Sequence, residues 1–98
     1  MVKNMSLRDL EKPCFLQVLI ILTENPGIIY TELKNTVEGA DQTIKKAIDQ
    51  LIKLGLAKEE REEEFPWRRH LYPTEKGKKI GKLLKKIEEI LREAENPP

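Results

Sequence analysis

A mainly α fold carrying a small β-hairpin is predicted for this chain, and three observations predict it. Apolar residues recur three and four apart at Ile44, Ile48 and Leu51, and again from Ile80 to Leu91, as helices with one buried face require. Gly55-Leu56-Ala57-Lys58 ends one helix and opens a strand, and Arg68-Arg69-His70-Leu71-Tyr72 returns beside it. Pro73-Thr74-Glu75-Lys76-Gly77 then starts another helix. With 98 residues and no internal repeat or dividing linker, the chain makes a single domain over 1–98.

The elements follow in order. Residues Met1 to Lys12 are polar and mixed, a loose arm or a short first turn. Pro13 suits the start of a helix, which should run to about Asn25, where Pro26-Gly27 stops it. Phe15-Leu16-Gln17-Val18-Leu19-Ile20-Ile21-Leu22 is apolar nearly all round, so this helix should be covered on more than one side. Ile28-Ile29-Tyr30 reads as a short strand or an extended lead-in. Thr31 is placed to cap a brief helix from Glu32 to Val37, with Leu33 and Val37 one turn apart on one face. After the tight Glu38-Gly39-Ala40 connection, Asp41 is placed to cap a third helix, and Gly55 ends it in the left-handed conformation. Two strands follow, joined through Glu62 to Trp67, with Leu71 and Pro73 facing one way and His70 and Tyr72 the other. Thr74 caps the last helix, which runs to about Glu95 and stops at Asn96-Pro97-Pro98. Two short helices, a third helix and a hairpin in this order read as a winged helix-turn-helix, with a core over 13–73 and a C-terminal helix over 74–95.

Composition narrows the function. A formal charge of +1 is no polycation, so affinity for nucleic acid must come from charge gathered on one face. High Lys, Glu and Ile with few Gln suggest a heat-adapted source. Cys14 is the one cysteine, which leaves no internal disulfide; it reads as a small buried residue of the first helix, with an intersubunit disulfide as the other option. The run Phe15 to Leu22 is too short to span a bilayer and does not resemble a signal peptide, so a cytoplasmic protein is expected. One His and one Cys offer little from which to build a nucleophile and base, and His70 alone cannot hold zinc. Phosphate-cradling glycine motifs and the spaced oxygens of a calcium loop are missing too. Neither an enzyme nor a cofactor or metal site is expected.

The third helix has a readable free side. Ile44, Ala47, Ile48 and Leu51 form its buried arc. Gln42, Lys46, Asp49 and Lys53 lie opposite, with Thr43 and Gln50 on one flank and Lys45 on the other. Amides and a hydroxyl near a helix N-terminus, backed by lysines, can bond base edges while phosphates are neutralised. An ordinary solvated helix face is the competing reading, and Asp49 would repel phosphate.

The order of elements, the Leu51-Ile52-Lys53-Leu54-Gly55-Leu56 exit and Thr74-Glu75-Lys76-Gly77 after the second strand resemble winged helix-turn-helix regulators. The MarR, PadR and HxlR-like groups and their small archaeal relatives are the nearest comparison, and the resemblance covers roughly Phe15 to Leu91. It implies a dimeric, sequence-selective regulator of transcription that binds double-stranded DNA. Helix 41–54 would enter the major groove, with the wing, 56–73, beside it. Carried onto matching positions, Gln42, Thr43 and Lys46 are implied base or phosphate contacts, and Arg68 and Arg69 wing contacts. Lys45, Gln50 and Lys53 complete the candidate DNA-binding set. Pro73 departs from the pattern, standing where a Leu usually precedes the Thr.

Two stretches point beyond DNA. Glu59, Glu60, Glu62, Glu63 and Glu64 stand against Lys58 and Arg61 in the wing, and carboxylates near phosphate oppose binding. Either the tip swings away, or Arg68 and Arg69 alone touch DNA, or the wing meets a protein. Trp67 in Phe65-Pro66-Trp67 would anchor such a partner, or else fold back over Phe65 or the core edge. In the last helix Ile80, Leu83, Leu84, Ile87, Ile90, Leu91 and Ala94 form a short coiled-coil stripe, to be received by the apolar first helix of the same chain or by a second copy. Lys76, Lys78, Lys79, Lys82, Lys85 and Lys86 fill its first half, and Glu88, Glu89, Glu93 and Glu95 its second, the reverse of what the helix dipole favours. An antiparallel second copy would set each half beside its opposite, which predicts a homodimer through Ile80, Leu83, Leu84, Ile87, Ile90 and Leu91. A solvated face, or lysines touching phosphate, are the alternatives. Besides a regulator, an adaptor that binds protein through its wing and a DNA-coating, spreading protein fit the sequence.

Overall fold

The computed structural model describes residues 6–95, with side chains to 93. A 3-10 turn, Leu7–Leu10, precedes α1 (Phe15–Glu24), β1 (Ile28–Ile29), α2 (Tyr30–Thr36), α3 (Asp41–Lys53), β2 (Ala57–Arg61), β3 (Arg69–Pro73) and α4 (Glu75–Glu95). The three strands form one antiparallel sheet in the order β1-β3-β2. The fold is mainly α with a small wing sheet, as the periodicities predict. The expected stop at Asn96-Pro97-Pro98 and the side chains of Ala94 and Glu95 lie outside the described residues, as does the start of the N-terminal arm.

The core lies where α1, α3 and the sheet meet. Phe15, Val18, Leu19 and Leu22 of α1 are buried against Leu33, Val37, Ile44, Ile48, Leu51, Leu56 and Leu71. Leu71 and Pro73 are buried while His70 and Tyr72 are partly exposed, the predicted two-residue alternation. The apolar first helix is received within the chain: α4 packs along α1, and Ile80 and Leu84 join the core. Leu16 and Gln17 nonetheless face solvent, so α1 is covered less completely than its composition suggested.

Close backbone approach fixes the seat of α4. A Cβ at Gly77 would collide with the carbonyl of Leu56, and one at Gly81 with Thr23 Oγ1, so glycine lets α4 lie on the β2 entry and on α1. The end of α3 is equally determined. Gly55 sits at φ 76°, with its N–H donating to the Ile52 carbonyl and that of Leu56 to the Leu51 carbonyl. These two bonds satisfy carbonyls the helix itself leaves open. Thr74 is the expected cap of α4: its Oγ1 accepts from the Gly77 N–H at 3.1 Å and donates to the Gly55 carbonyl at 2.7 Å.

Five local expectations need correction. Thr31 does not cap α2, which begins at Tyr30 after extended Ile29. Asp41 does not cap α3 but is its first helical residue, with Ala40 in the cap position and no side-chain cap bond. Pro13 stands before α1 and not within it, and Cys14 is no helical core residue. It takes the cap position with φ 63°, half-buried, its thiol donating to the Glu38 carbonyl at 3.5 Å. The returning strand starts at Arg69, leaving Arg68 in the connection.

Candidate nucleic-acid interface

The buried arc of α3 is Ile44, Ala47, Ile48 and Leu51, so its opposite face is turned outward. Gln42, Lys45, Lys46 and Lys53 are exposed there, and Thr43 and Gln50 are half-exposed on the flank. Among the described residues the side chains of Gln42, Thr43, Lys46, Gln50 and Lys53 have no hydrogen-bond or ion-pair partner. Lys45 is engaged, its ammonium 3.4 Å from Asp41 Oδ2 one turn earlier. Asp49 lies within the same face. A shallow groove of about 530 Å³ runs between α3 and the turn before α1, lined by Lys12, Pro13, Thr43, Lys46, Asp49 and Gln50. It brings Lys12, missed in the sequence, beside the candidate contacts. No periodicity marks a lysine on an irregular arm, so only the tertiary fold reveals it.

The wing arginines are less free than their sequence suggests. Arg68 Nε lies 3.2 Å from Glu62 Oε2, and Arg69 Nε donates to Glu59 Oε1 at 2.6 Å. The Arg69 guanidinium also stacks over the Tyr30 ring, 5.2 Å from its centre. Two of the five wing glutamates are thus neutralised across the hairpin, while Glu60, Glu63 and Glu64 have no partner among the described residues. Arg61, directly across from Arg69 in the register, also lacks one, which makes it the uncommitted wing arginine. Its place in the middle of an acidic run, between Glu60 and Glu62, had hidden it.

His70 adds a second tie. Its Nδ1 lies 3.0 Å from the Gly27 carbonyl oxygen and its Nε2 2.7 Å from Glu62 Oε2. The hydrogen bond to Glu62 and then that to Gly27 push the imidazole above its usual value. The same His70 bond, followed by Arg68, holds the Glu62 carboxyl below the usual range. At the tip, Phe65 and Trp67 pack edge to face with ring centres 5.2 Å apart, so Trp67 does fold against Phe65. Both keep more than half their surface in water.

On α4 the expected interface residues divide. Ile80 and Leu84 pack partly on the core, while Leu83, Ile87, Ile90 and Leu91 each leave more than half their surface exposed. An apolar groove of about 550 Å³ continues this stripe across Leu7, Leu10, Leu54 and Leu56. Among the described residues no helix is long and apolar enough to cross a membrane.

Comparison with known proteins adds to this geometry. No protein-family model matches the chain. The HTH-type transcriptional regulator YybA of Bacillus subtilis (strain 168) is 32% identical over 87 residues, covering 87% of this chain and 57% of its own length. A MarR protein from Peptoclostridium difficile superposes with a TM-score of 0.75 at 29% identity, over 84% of this chain and 54% of that one. SSV1 F-93 superposes at 0.66 with 30% identity, over 81% of this chain and 89% of that one. The chain therefore spans little more than half the length of YybA and of the MarR protein.

Proposed function

Since this chain is a winged helix-turn-helix protein of the MarR-like type, we propose that it regulates transcription by binding double-stranded DNA as a symmetric dimer. The observation that carries this reading is the outward face of α3, where Gln42, Thr43, Lys46, Gln50 and Lys53 are engaged with nothing else among the described residues. Amide and hydroxyl groups supply donors and acceptors for base edges, and the lysines, with Lys12 across the groove, supply phosphate contacts. In the wing, Arg61 is the uncommitted cation, and Arg68 and Arg69 reach phosphate only by giving up or sharing Glu62 and Glu59.

The dimer reading rests on α4. Its exposed apolar stripe is too extensive to be left in water without a use. Antiparallel pairing lays the lysine half of each helix beside the acidic half of the other. Two copies then set their α3 helices in successive major grooves, about 34 Å apart on a near-palindromic site. The reading is one of binding, without catalysis.

A second reading is favoured by the wing tip, where exposed Phe65 and Trp67 stand among the unpartnered Glu60, Glu63 and Glu64. That surface suits a protein partner better than phosphate, and would make the chain an adaptor. Selection from a random duplex library at two salt concentrations separates the readings. An enriched near-palindrome with a steep salt slope supports the regulator, and salt-dependent binding without enrichment supports a protein that coats DNA. No binding at low salt leaves the adaptor. Replacing Gln42 and Lys46 by Glu should reduce duplex binding at least a hundredfold, on the order expected when two contacts become repulsive.

A further inference from the structure

We infer that Tyr30 is a positioning residue that sets the recognition helix against the wing; the inference deepens the DNA-binding reading above and rests on it. Tyr30 opens α2, and its phenol donates to Asp41 Oδ1 at 2.7 Å. Asp41 is the first residue of α3, immediately before the candidate base contacts Gln42 and Thr43. The opposite side of the phenol's environment is the wing: the Arg69 guanidinium stacks on the ring, and Arg69 is itself held by Glu59. One side chain therefore joins both strands of the hairpin to the start of the helix that would enter the groove.

The chemistry of the joint is directional. Asp41 also lies 3.8 Å from the Lys34 ammonium and 3.4 Å from that of Lys45, but exposed lysine pairs constrain orientation little. A short bond from a phenol to an ionised carboxylate is stronger and fixes an angle. Asp41 is exposed, so no burial requirement explains the bond. The carboxylate is free to be solvated, yet the fold spends it on aligning two elements. Burial of Tyr30 together with the Asp41 bond pushes the phenol up to about 12, which keeps the donor proton in place at any physiological pH. The same bond, with Lys45 and Lys34, holds the Asp41 carboxyl below the usual range, keeping the acceptor ionised. The arrangement also accounts for Arg69: it acts through Tyr30 more than through phosphate.

The test is Tyr30→Phe, which keeps the ring over which Arg69 stacks and removes only the hydroxyl. Its melting temperature should stay close to that of the unmodified chain. Affinity for the enriched duplex should fall about tenfold, within the range by which a residue coupling two elements changes binding, and base preferences should broaden at the positions nearest Gln42 and Thr43. The salt slope should not change, because no phosphate contact is lost. Asp41→Asn, which retains a side-chain oxygen acceptor but not its charge, should fall between the unmodified chain and Tyr30→Phe in base preference. Asp41→Ala, which also releases Lys34 and Lys45, should match Tyr30→Phe in base preference, and the double variant should broaden it no further than either. Amide NMR shifts in Tyr30→Phe should move both at the start of α3 and at Arg69. Unchanged affinity and base preference in Tyr30→Phe would overturn the inference. If the unmodified chain enriches no duplex, the DNA-binding reading fails by itself; the amide shifts then decide, and changes confined to α2 would overturn the positioning role.

Discussion

His70 lies between two groups that can only accept. The Gly27 carbonyl and the Glu62 carboxylate offer no proton, so both ring nitrogens must donate, which only the imidazolium does. Glu60 stands opposite in the register, and Arg68 is the cation nearby that opposes the charge. The raised His70 value means its contribution is complete below the ordinary 6.5 and is lost as pH rises through the raised value. The depressed Glu62 value means its contribution is present above the ordinary 4.5 and is lost as pH falls through the depressed one. The tie between wing and β1 is therefore strongest between those two limits. His70 is the one histidine in the chain, so its NMR titration is unambiguous. It should titrate above 6.5, and Glu62→Gln should bring it down; a midpoint at or below 6.5 in the unmodified chain would refute the two-acceptor reading. Trp67, the one tryptophan, should report loosening of the wing by fluorescence as pH rises through the same titration. None of this was legible in the sequence, since the pairing of His70 with Gly27 and Glu62 depends on the hairpin register.

At the level of elements, the two glycines of α4 make different demands. The obstacle at Gly77 is the Leu56 carbonyl, a backbone atom that cannot turn aside. At Gly81 it is the side chain of Thr23, whose hydroxyl donates to the Leu19 carbonyl at 2.8 Å and can rotate, while its Cβ, 2.8 Å from the added atom, cannot. Alanine in a helix gains about 1 kcal/mol over glycine, whereas overpacking costs roughly 1–3 kcal/mol. Gly77→Ala should therefore lower the melting temperature clearly, Gly81→Ala less, and Thr23→Ala should restore the Gly81→Ala variant in part. No loss at either position would mean that α4 is seated less closely than its contacts indicate. The elements themselves were legible because each signal was local: the Gly55 stop, the Thr74 cap and the stripe of Ile44, Ile48 and Leu51. Thr31 and Asp41 misled for the complementary reason. Both have the chemistry of a cap, but extended Ile29 and Ala40 take that position, and Asp41 is claimed by Tyr30, eleven residues before it. Local rules cannot see such a partner.

For the whole molecule, balanced charge conceals an uneven distribution. Among the described residues uncommitted cations stand on α3, on the arm before α1 and along the first half of α4 (Lys76, Lys79, Lys82 and Lys86), and uncommitted carboxylates cluster at the wing tip, although the net charge is only +1. The α3 face was legible because helical periodicity sorts its side chains; Lys12 and Arg61 were not, because only packing reveals which cations remain uncommitted. The exposed stripe on α4 makes a further demand on the assembly. Leu83→Lys with Ile87→Glu should leave circular dichroism unchanged, since both side chains are largely outside the core, and should convert a dimer to a monomer in sedimentation at micromolar concentration. A monomer before any substitution would remove the dimer from the proposal.

The sheet is open on both sides. Its order leaves β1 and β2 at the margins, and an open margin can template another strand and start aggregation. β1 is two residues long, too short to recruit a neighbour, while β2 exposes Lys58, Glu59, Glu60 and Arg61 in succession. A second strand laid there would have to bring charge against charge along its length. The glutamates that sit awkwardly beside phosphate thus protect a small, stripe-bearing protein from growing into fibres through its own wing.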